Sequence, residues 1–424
     1  MWASVPIVGG AVLLAALTRP PLARSTETRL LDGALLAVLV VAAIQLLPLP
    51  RAIRALISPH HDAVHAELLI GPDIQWQPLS LDPWGTAYAV ALLAATLLVF
   101  WACRYLCGTG HAHRVIAAVA LIGLLAALSA IAQQTSDPTK IYGYWQPIDE
   151  GARPFGPFVN RNHFATWVLM AIPLATGYVL ASFSRRPGSL FVADEIVTLV
   201  RRVGSRGTWV AVSAAIMALA LVASTSRSGL LAFVVSLGSG ITMGRTRVDR
   251  RTGMWLVVGL VVLVAFLGAY TRIDPLLLRA DETLAVGTGG RQQIWADTLG
   301  VIRDFALTGV GVGSYQNAML VYQRVNSLWF VNQAHNHYLQ IMAEGGVLLV
   351  VPALLALAAF ARLFVVRLRR DSSQDVWLRI GGAAAVIAVA VQSYWETGLR
   401  MPANGILFAV AAAIAVHRPG DRRL

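Results

Sequence analysis

The run Gly289-Gly290-Arg291-Gln292-Gln293-Ile294-Trp295, followed further on by Ala334-His335-Asn336-His337-Tyr338, lies in the longest interval of this chain that lacks a continuous apolar span, residues 271–341. The 424 residues are 57% hydrophobic and only 13% charged, with a mean hydropathy of +0.64. That composition lies outside the range of soluble domains and indicates a polytopic helical membrane protein. An apolar chain that interrupts itself here, and places Arg272, Arg279, Arg291, Arg303, Arg324, His335 and His337 in the interruption, is building a polar site at a bilayer surface.

Working outward, about eleven or twelve spans meet the length needed to cross hydrocarbon, where every backbone polar group must be paired internally. They fall near residues 2–18, 31–48, 86–103, 115–132, 163–183, 208–224, 229–243, 254–270, 342–365, 380–394 and 402–417. The stretch 229–243 is short, so its helix is either tilted or begins within Ser224 to Ser228. The expected organisation is N-terminal spans (1–132), an outer loop (133–162), central spans (163–270), a large outer loop with short helices (271–341), and C-terminal spans with a basic tail (342–424). The fold class is all-α.

The net charge of +12 would suggest nucleic acid in a soluble protein. Here the cations flank apolar spans and set orientation instead, so no nucleic-acid partner is expected. One set of alternate loops holds Arg19, Arg24 and Arg29, then Arg104 and Arg114, Arg185 to Arg206, Arg245 to Arg251, Arg367 to Arg370, and Arg418 to Arg423. That set is the cytoplasmic one, and the long loops face outward. Arg153, Arg161, Arg227 and Arg291 then sit on the side where few cations are expected, which an anionic partner would explain. In Ser224-Thr225-Ser226-Arg227-Ser228-Gly229 the guanidinium is squeezed between two spans and is expected to be held by a partner.

Residues 1–18 lack a basic leader and a small-residue cleavage site, so they read as the first span rather than a signal peptide. Cys103 and Cys107 are too few for a zinc site or a disulfide framework. His61 and His65 have metal-ligand spacing, but a short His run in a loop is ordinarily solvated, and no metal is assigned.

Four clusters fall on the outward side. In Phe155-Gly156-Pro157-Phe158-Val159-Asn160-Arg161-Asn162-His163, the residues Asn160, Arg161 and Asn162 either donate to phosphate or sugar oxygens or simply cap the helix that follows. Ser226-Arg227-Ser228-Gly229 is the second. Gly289-Gly290-Arg291 is the third, opening a helix and permitting close approach of an anion. The fourth is His335-Asn336, leading into a helix that contains Glu344-Gly345-Gly346. A neutral imidazole at a membrane edge can deprotonate a sugar hydroxyl while nearby arginines hold a diphosphate leaving group.

These clusters, in this order, together with Thr308-Gly309-Val310-Gly311-Val312-Gly313 and the outer segment Trp76-Gln77-Pro78-Leu79-Ser80-Leu81-Asp82-Pro83, resemble the O-antigen ligase and O-antigen polymerase superfamily. The resemblance covers roughly residues 155–350. It implies cofactor-free, metal-independent, inverting glycosyl transfer on the periplasmic face of the bacterial inner membrane. The implied donor is a glycan on undecaprenyl diphosphate, and the implied acceptor is lipid A core or another glycan. By this resemblance His335 matches the general base, with His337 the competing position, and Arg227 and Arg291 match the diphosphate-binding arginines. Asn160, Arg161, Asn162, Asn336 and His337 are the expected substrate-binding residues. A transporter of lipid or polysaccharide is the alternative of a different class, and would need essential polar groups near mid-membrane.

Overall fold

A computed structural model describes residues 5–20, 26–68, 75–148, 152–183, 195–248, 253–254, 257–263, 265–266, 280–324 and 330–418, with backbone alone for 183, 195–205 and 280–290. Its helices include α1 (Val5–Thr18), α2 (Thr26–Ile44), α3 (Arg51–Ile57), α4 (His61–Glu67), α5 (Pro83–Leu106), α6 (Ala112–Ser136), α7 (Arg161–Phe183), α8 (Glu195–Ala223), α9 (Arg227–Gly244), α10 (Ala280–Asp304), α11 (Tyr315–Tyr322), α12 (His337–Arg370), α13 (Val376–Gln392) and α14 (Pro402–Val416). One small antiparallel pair, β1 (Leu49–Pro50) with β2 (Trp76–Gln77), ties down the outer segment.

The fold is an all-α polytopic membrane protein, as the composition requires. Among the described residues, five helical stretches are long and apolar enough to cross a bilayer: Pro83–Ser136, Arg161–Ser182, Arg206–Ala223, Arg227–Gly244 and His337–Arg370. The first is interrupted by a π turn at Cys107–His111, where Gly110 takes φ 93°, leaving α5 and α6 each long enough for its own crossing. Only glycine adopts that φ without cost. The short span near 229–243 begins at Arg227, capped by Ser226 Oγ, which accepts from the Gly229 N–H at 3.3 Å. The expected span at 254–270 lies partly outside the described residues.

The core forms where α7 packs on α13 and α8. A Cβ on Gly177 would lie 2.4 Å from the Trp377 carbonyl oxygen, and one on Gly381 would lie 2.4 Å from that of Pro173. Small residues there let the two backbones touch, which is how membrane helices gain packing energy without a hydrophobic drive between them.

At the basic end several arginines serve as pins. Arg379 is fully buried and donates to Asp371 Oδ2 at 3.0 Å and to the carbonyls of Ala415 and His417 at 2.9 and 3.0 Å. Arg247 donates to the Leu368 carbonyl at 3.0 Å and Arg367 to that of Val416. These carbonyls belong to the last turns of α12 and α14 and the residue after α14, where helices leave acceptors unpaired. Asp32 in α2 is neutralised by Arg104 at 2.7 Å.

The opposite end is organised by a break in α12. Gly346 has φ 56°, and the amides freed beyond it donate backwards: Val347 to the Ala306 carbonyl at 2.9 Å and Leu348 to Leu307 at 3.1 Å. Val310 and Gly311 donate in turn to the Ala343 and Glu344 carbonyls, both at 3.0 Å. The glycine motif of residues 308–313 is therefore threaded into the kink. A Cβ on Gly309 would lie 2.3 Å from the Glu344 oxygen. Gln45 clamps the junction, donating to the carbonyls of Thr308 and Glu344 at 2.9 Å and accepting from the Val312 N–H at 3.0 Å. Ser80 Oγ meets Ser314 Oγ at 2.9 Å, which places the outer segment 76–83 against the same motif.

Candidate active site

The turn between α13 and α14, residues 393–401, gathers the four sequence clusters. Its buried Glu396 accepts through Oε1 from Asn162 Nδ2 at 2.7 Å and from Arg291 Nη2 at 3.3 Å. Asn162 Oδ1 in turn accepts from Ser226 Oγ at 2.8 Å, and Arg161 Nη1 donates to Thr225 Oγ1 at 2.6 Å. One carboxylate thus links the first three clusters directly or through a single side chain.

The fourth cluster joins through backbone and edge contacts. The His337 N–H donates to the Ser393 carbonyl at 2.8 Å, Tyr338 OH to that of Ala390 at 2.6 Å, and Thr397 Oγ1 to Gln333 Oε1. From α10, Trp295 Nε1 donates to the Ala334 carbonyl at 2.9 Å. The turn itself is fixed by Asn404, whose Nδ2 donates to the carbonyls of His163 and Gly398 at 3.1 and 2.9 Å. Gly398 is required because a Cβ there would lie 2.3 Å from Thr166 Oγ1.

Burial sets the protonation of both central groups. Burial pushes the Glu396 carboxyl up to about 7, against the opposing pull of Arg291, Asn162 and Arg161. Burial, then the Arg291 charge and His163, push the His335 imidazole down to about 4, so it is neutral at physiological pH. His335 also holds φ 49°, and Thr225 φ 51°. Left-handed backbone at a non-glycine residue costs about 1–3 kcal/mol and persists where surrounding structure enforces it, commonly at functional sites. The Nδ1 atom of His335 is covered and has no hydrogen-bond partner among the described residues, as is also true of His337 Nδ1. An unpaired buried polar atom of this kind costs about 1–3 kcal/mol.

The other expected residues sort as follows. Asn160 Oδ1 accepts from the Asn162 N–H at 2.8 Å at the entrance to α7. Asn336 is the N-cap of α12, its Oδ1 accepting from the amides of Tyr338 and Leu339 at 3.0 and 3.1 Å. Replacing Asn336 with alanine is expected to cost about 1 kcal/mol of stability, with serine or aspartate restoring most of it; thermal unfolding in detergent reads this.

Two expectations change. Gly289 and Gly290 lie inside α10 rather than opening it, because the helix starts at Ala280; they form no N-terminal anion nest. Arg227, expected to be gripped between two spans, is exposed in the first turn of α9 and makes no side-chain hydrogen bond or ion pair with the described residues. The helix entrance turns it outward instead of between the helices.

Glu396 was not among the residues the sequence singled out, although its signal was present: a lone acid between two apolar spans, beside Tyr394 and Trp395. Arg400, in the same short loop, was not singled out either, and it pairs with Glu344 at 3.2 Å, where Gln340 also donates to Glu344 at 3.0 Å. Away from the site, His61 and His65 stack with ring centroids 5.9 Å apart. Cys103 and Cys107 are free, buried thiols with sulfurs 3.8 Å apart.

The site therefore presents a neutral imidazole, a paired guanidinium, an exposed guanidinium and a buried carboxylate at one end of a membrane bundle. No curated protein matches the chain. Residues 212–354 match the family model described as O-antigen ligase, a segment running from within α8 past the kink of α12 and containing Ser226, Arg227, Arg291 and His335. Over that segment the chain is similar to the O-antigen ligase family, and its long apolar helices make it a multi-pass membrane protein.

Proposed function

We propose that this protein transfers a glycan from undecaprenyl diphosphate to a hydroxyl of lipid A core, at the periplasmic face of the inner membrane. The observation that carries the reading is the convergence, at one end of the bundle, of the neutral His335 with Arg291, whose charge the imidazole feels. His335 takes the proton of the acceptor hydroxyl as its oxygen attacks the anomeric carbon from the face opposite the leaving group. The bond from that carbon to the diphosphate oxygen breaks, the configuration inverts, and Arg227 and Arg291 hold the departing diphosphate. Asn160, Arg161, Asn162 and His337 contribute to substrate binding, and Asn336 contributes by fixing the helix that carries His337. The donor already holds a good leaving group, so positioning and charge stabilisation supply the catalysis and no cofactor or metal is assigned.

A second reading, polymerisation of lipid-linked repeats, uses the same residues with a glycan hydroxyl as acceptor. Transport of the same lipid-linked glycan is disfavoured by the crowding of the polar groups at one end of the spans rather than at mid-depth.

Reconstitution of the purified protein with an undecaprenyl diphosphate-linked glycan, in chelator, with and without lipid A core, separates these. Product on lipid A core supports the ligase. Lengthened lipid-linked chains without added acceptor support the polymerase. Absence of transfer in every arm overturns both.

A further inference from the structure

Glu396 is the acid that the transfer chemistry leaves unused, yet it stands at the centre of the site. It is 2% exposed. Its contact with Arg291 is one N–O approach at 3.3 Å rather than a two-bond fork, and the Arg291 side chain remains 35% exposed. Most of the guanidinium's donors are therefore not committed to this carboxylate. The stronger bond of Glu396 is the 2.7 Å one from Asn162 Nδ2, which does not depend on Arg291.

The charged and titratable groups around it come from several elements. Arg161 lies on α7 beside Asn162, Arg291 on α10, and His335 before α12; His163 on α7 acts on His335 as Arg291 does. Arg400, four residues on in the same turn, is engaged by Glu344. The cation paired with Glu396 is thus the one assigned above to the donor diphosphate.

We infer that Glu396 is an exchangeable counter-anion, which occupies Arg291 while the donor site is empty and yields it to the donor diphosphate, taking up one proton from solvent as it does so. The inference rests on the assignment of Arg291 to the diphosphate. A buried carboxylate that loses its cation and gains a neighbouring anion is driven toward the neutral form. Burial already holds this carboxyl at about 7, so the exchange falls within the neutral range. As a neutral acid Glu396 still accepts from Asn162, so the link to Ser226 survives the exchange. Donor affinity should then weaken as pH rises through 7, since above it the carboxylate competes for Arg291. His335, held at about 4, does not titrate in that window.

The test is calorimetric binding of undecaprenyl-diphospho-N-acetylglucosamine to the full-length protein in lipid nanodiscs between pH 6 and pH 8. Each phosphate of that probe carries one ester and one anhydride bond and keeps a single, strongly acidic hydroxyl, so its charge is constant there, unlike a phosphate monoester with a second ionisation near 6. Wild-type affinity is expected to fall about tenfold from pH 6 to pH 8, with net proton uptake on binding. Glu396→Gln should bind several-fold more tightly than wild type at pH 8 and lose the pH slope. A Gln variant that keeps the wild-type slope, or binds weakly at every pH, overturns the exchange. If that variant does not fold, proton uptake by the wild type, measured in two buffers of different ionisation enthalpy, decides alone, and zero uptake overturns it. Failure of the wild type to bind the probe at any pH, or undiminished binding by Arg291→Ala, overturns the diphosphate reading itself.

Discussion

Replacing His335 with alanine removes glycan transfer, by about 10²–10⁴-fold, the range a positioned general base supplies, while the lipid-linked donor still binds. The direction follows from the electrostatics of the site. Burial and the Arg291 charge hold His335 at about 4, so the imidazole is in its basic form throughout the neutral range. Transfer should be insensitive to this group near pH 7 and should fall only as pH drops toward 4 and the ring is protonated. Removing the Arg291 charge takes away one of the influences that lower the imidazole, so in Arg291→Gln the acid limb of the profile should move to higher pH. Single-turnover rates across pH, in wild type and in that variant, read both effects.

The competing position, His337, begins α12 with its amide bonded to Ser393. His337→Ala transferring at the wild-type rate would secure His335 as the base. Full activity in His335→Ala would sink the assignment.

Arg227→Ala should raise KM for the donor about 10–100-fold with little change in fold stability. Its exposed side chain makes no hydrogen bond or ion pair with the described residues, whereas a charge-assisted bond to a phosphate is worth about 1.5–3 kcal/mol. Lysine at this position keeps the charge and loses the two-bond fork, so Arg227→Lys should recover only part of the affinity. Donor titrations and thermal unfolding on the same preparations separate binding from folding. A large drop in melting temperature with donor affinity unchanged would show that Arg227 is a structural residue and not a donor ligand.

Much of the architecture is legible in the sequence because membrane spans are written in composition: the hydrocarbon core demands long apolar runs with every backbone group paired inside the helix. The basic loops likewise announce one end of the bundle, and the polar motifs the other. What those basic residues do locally is not legible. Arg379 and Arg367 are pins for helix C-termini, since a carbonyl with no partner is visible only once the ends of two helices meet. The place of the motif 308–313 is not legible either: it inserts into the kink of α12, where a Cβ on Gly309 would lie 2.3 Å from the Glu344 carbonyl oxygen, a contact between segments that are far apart in the chain.

Composition and the pattern of apolar runs were enough for the helical membrane class, and the motifs marked His335, Arg227 and Arg291 as candidates for the chemistry proposed above. Which residues meet depends on how the helices pack. Asn162, Ser226, Arg291 and Glu396 come from four separate segments and are joined through hydrogen bonds of 2.7 to 3.3 Å, a proximity no local spacing encodes. Protonation was also decided there. A histidine and a glutamate carry ordinary affinities for protons until burial and one shared arginine push the first down and leave the second near neutrality.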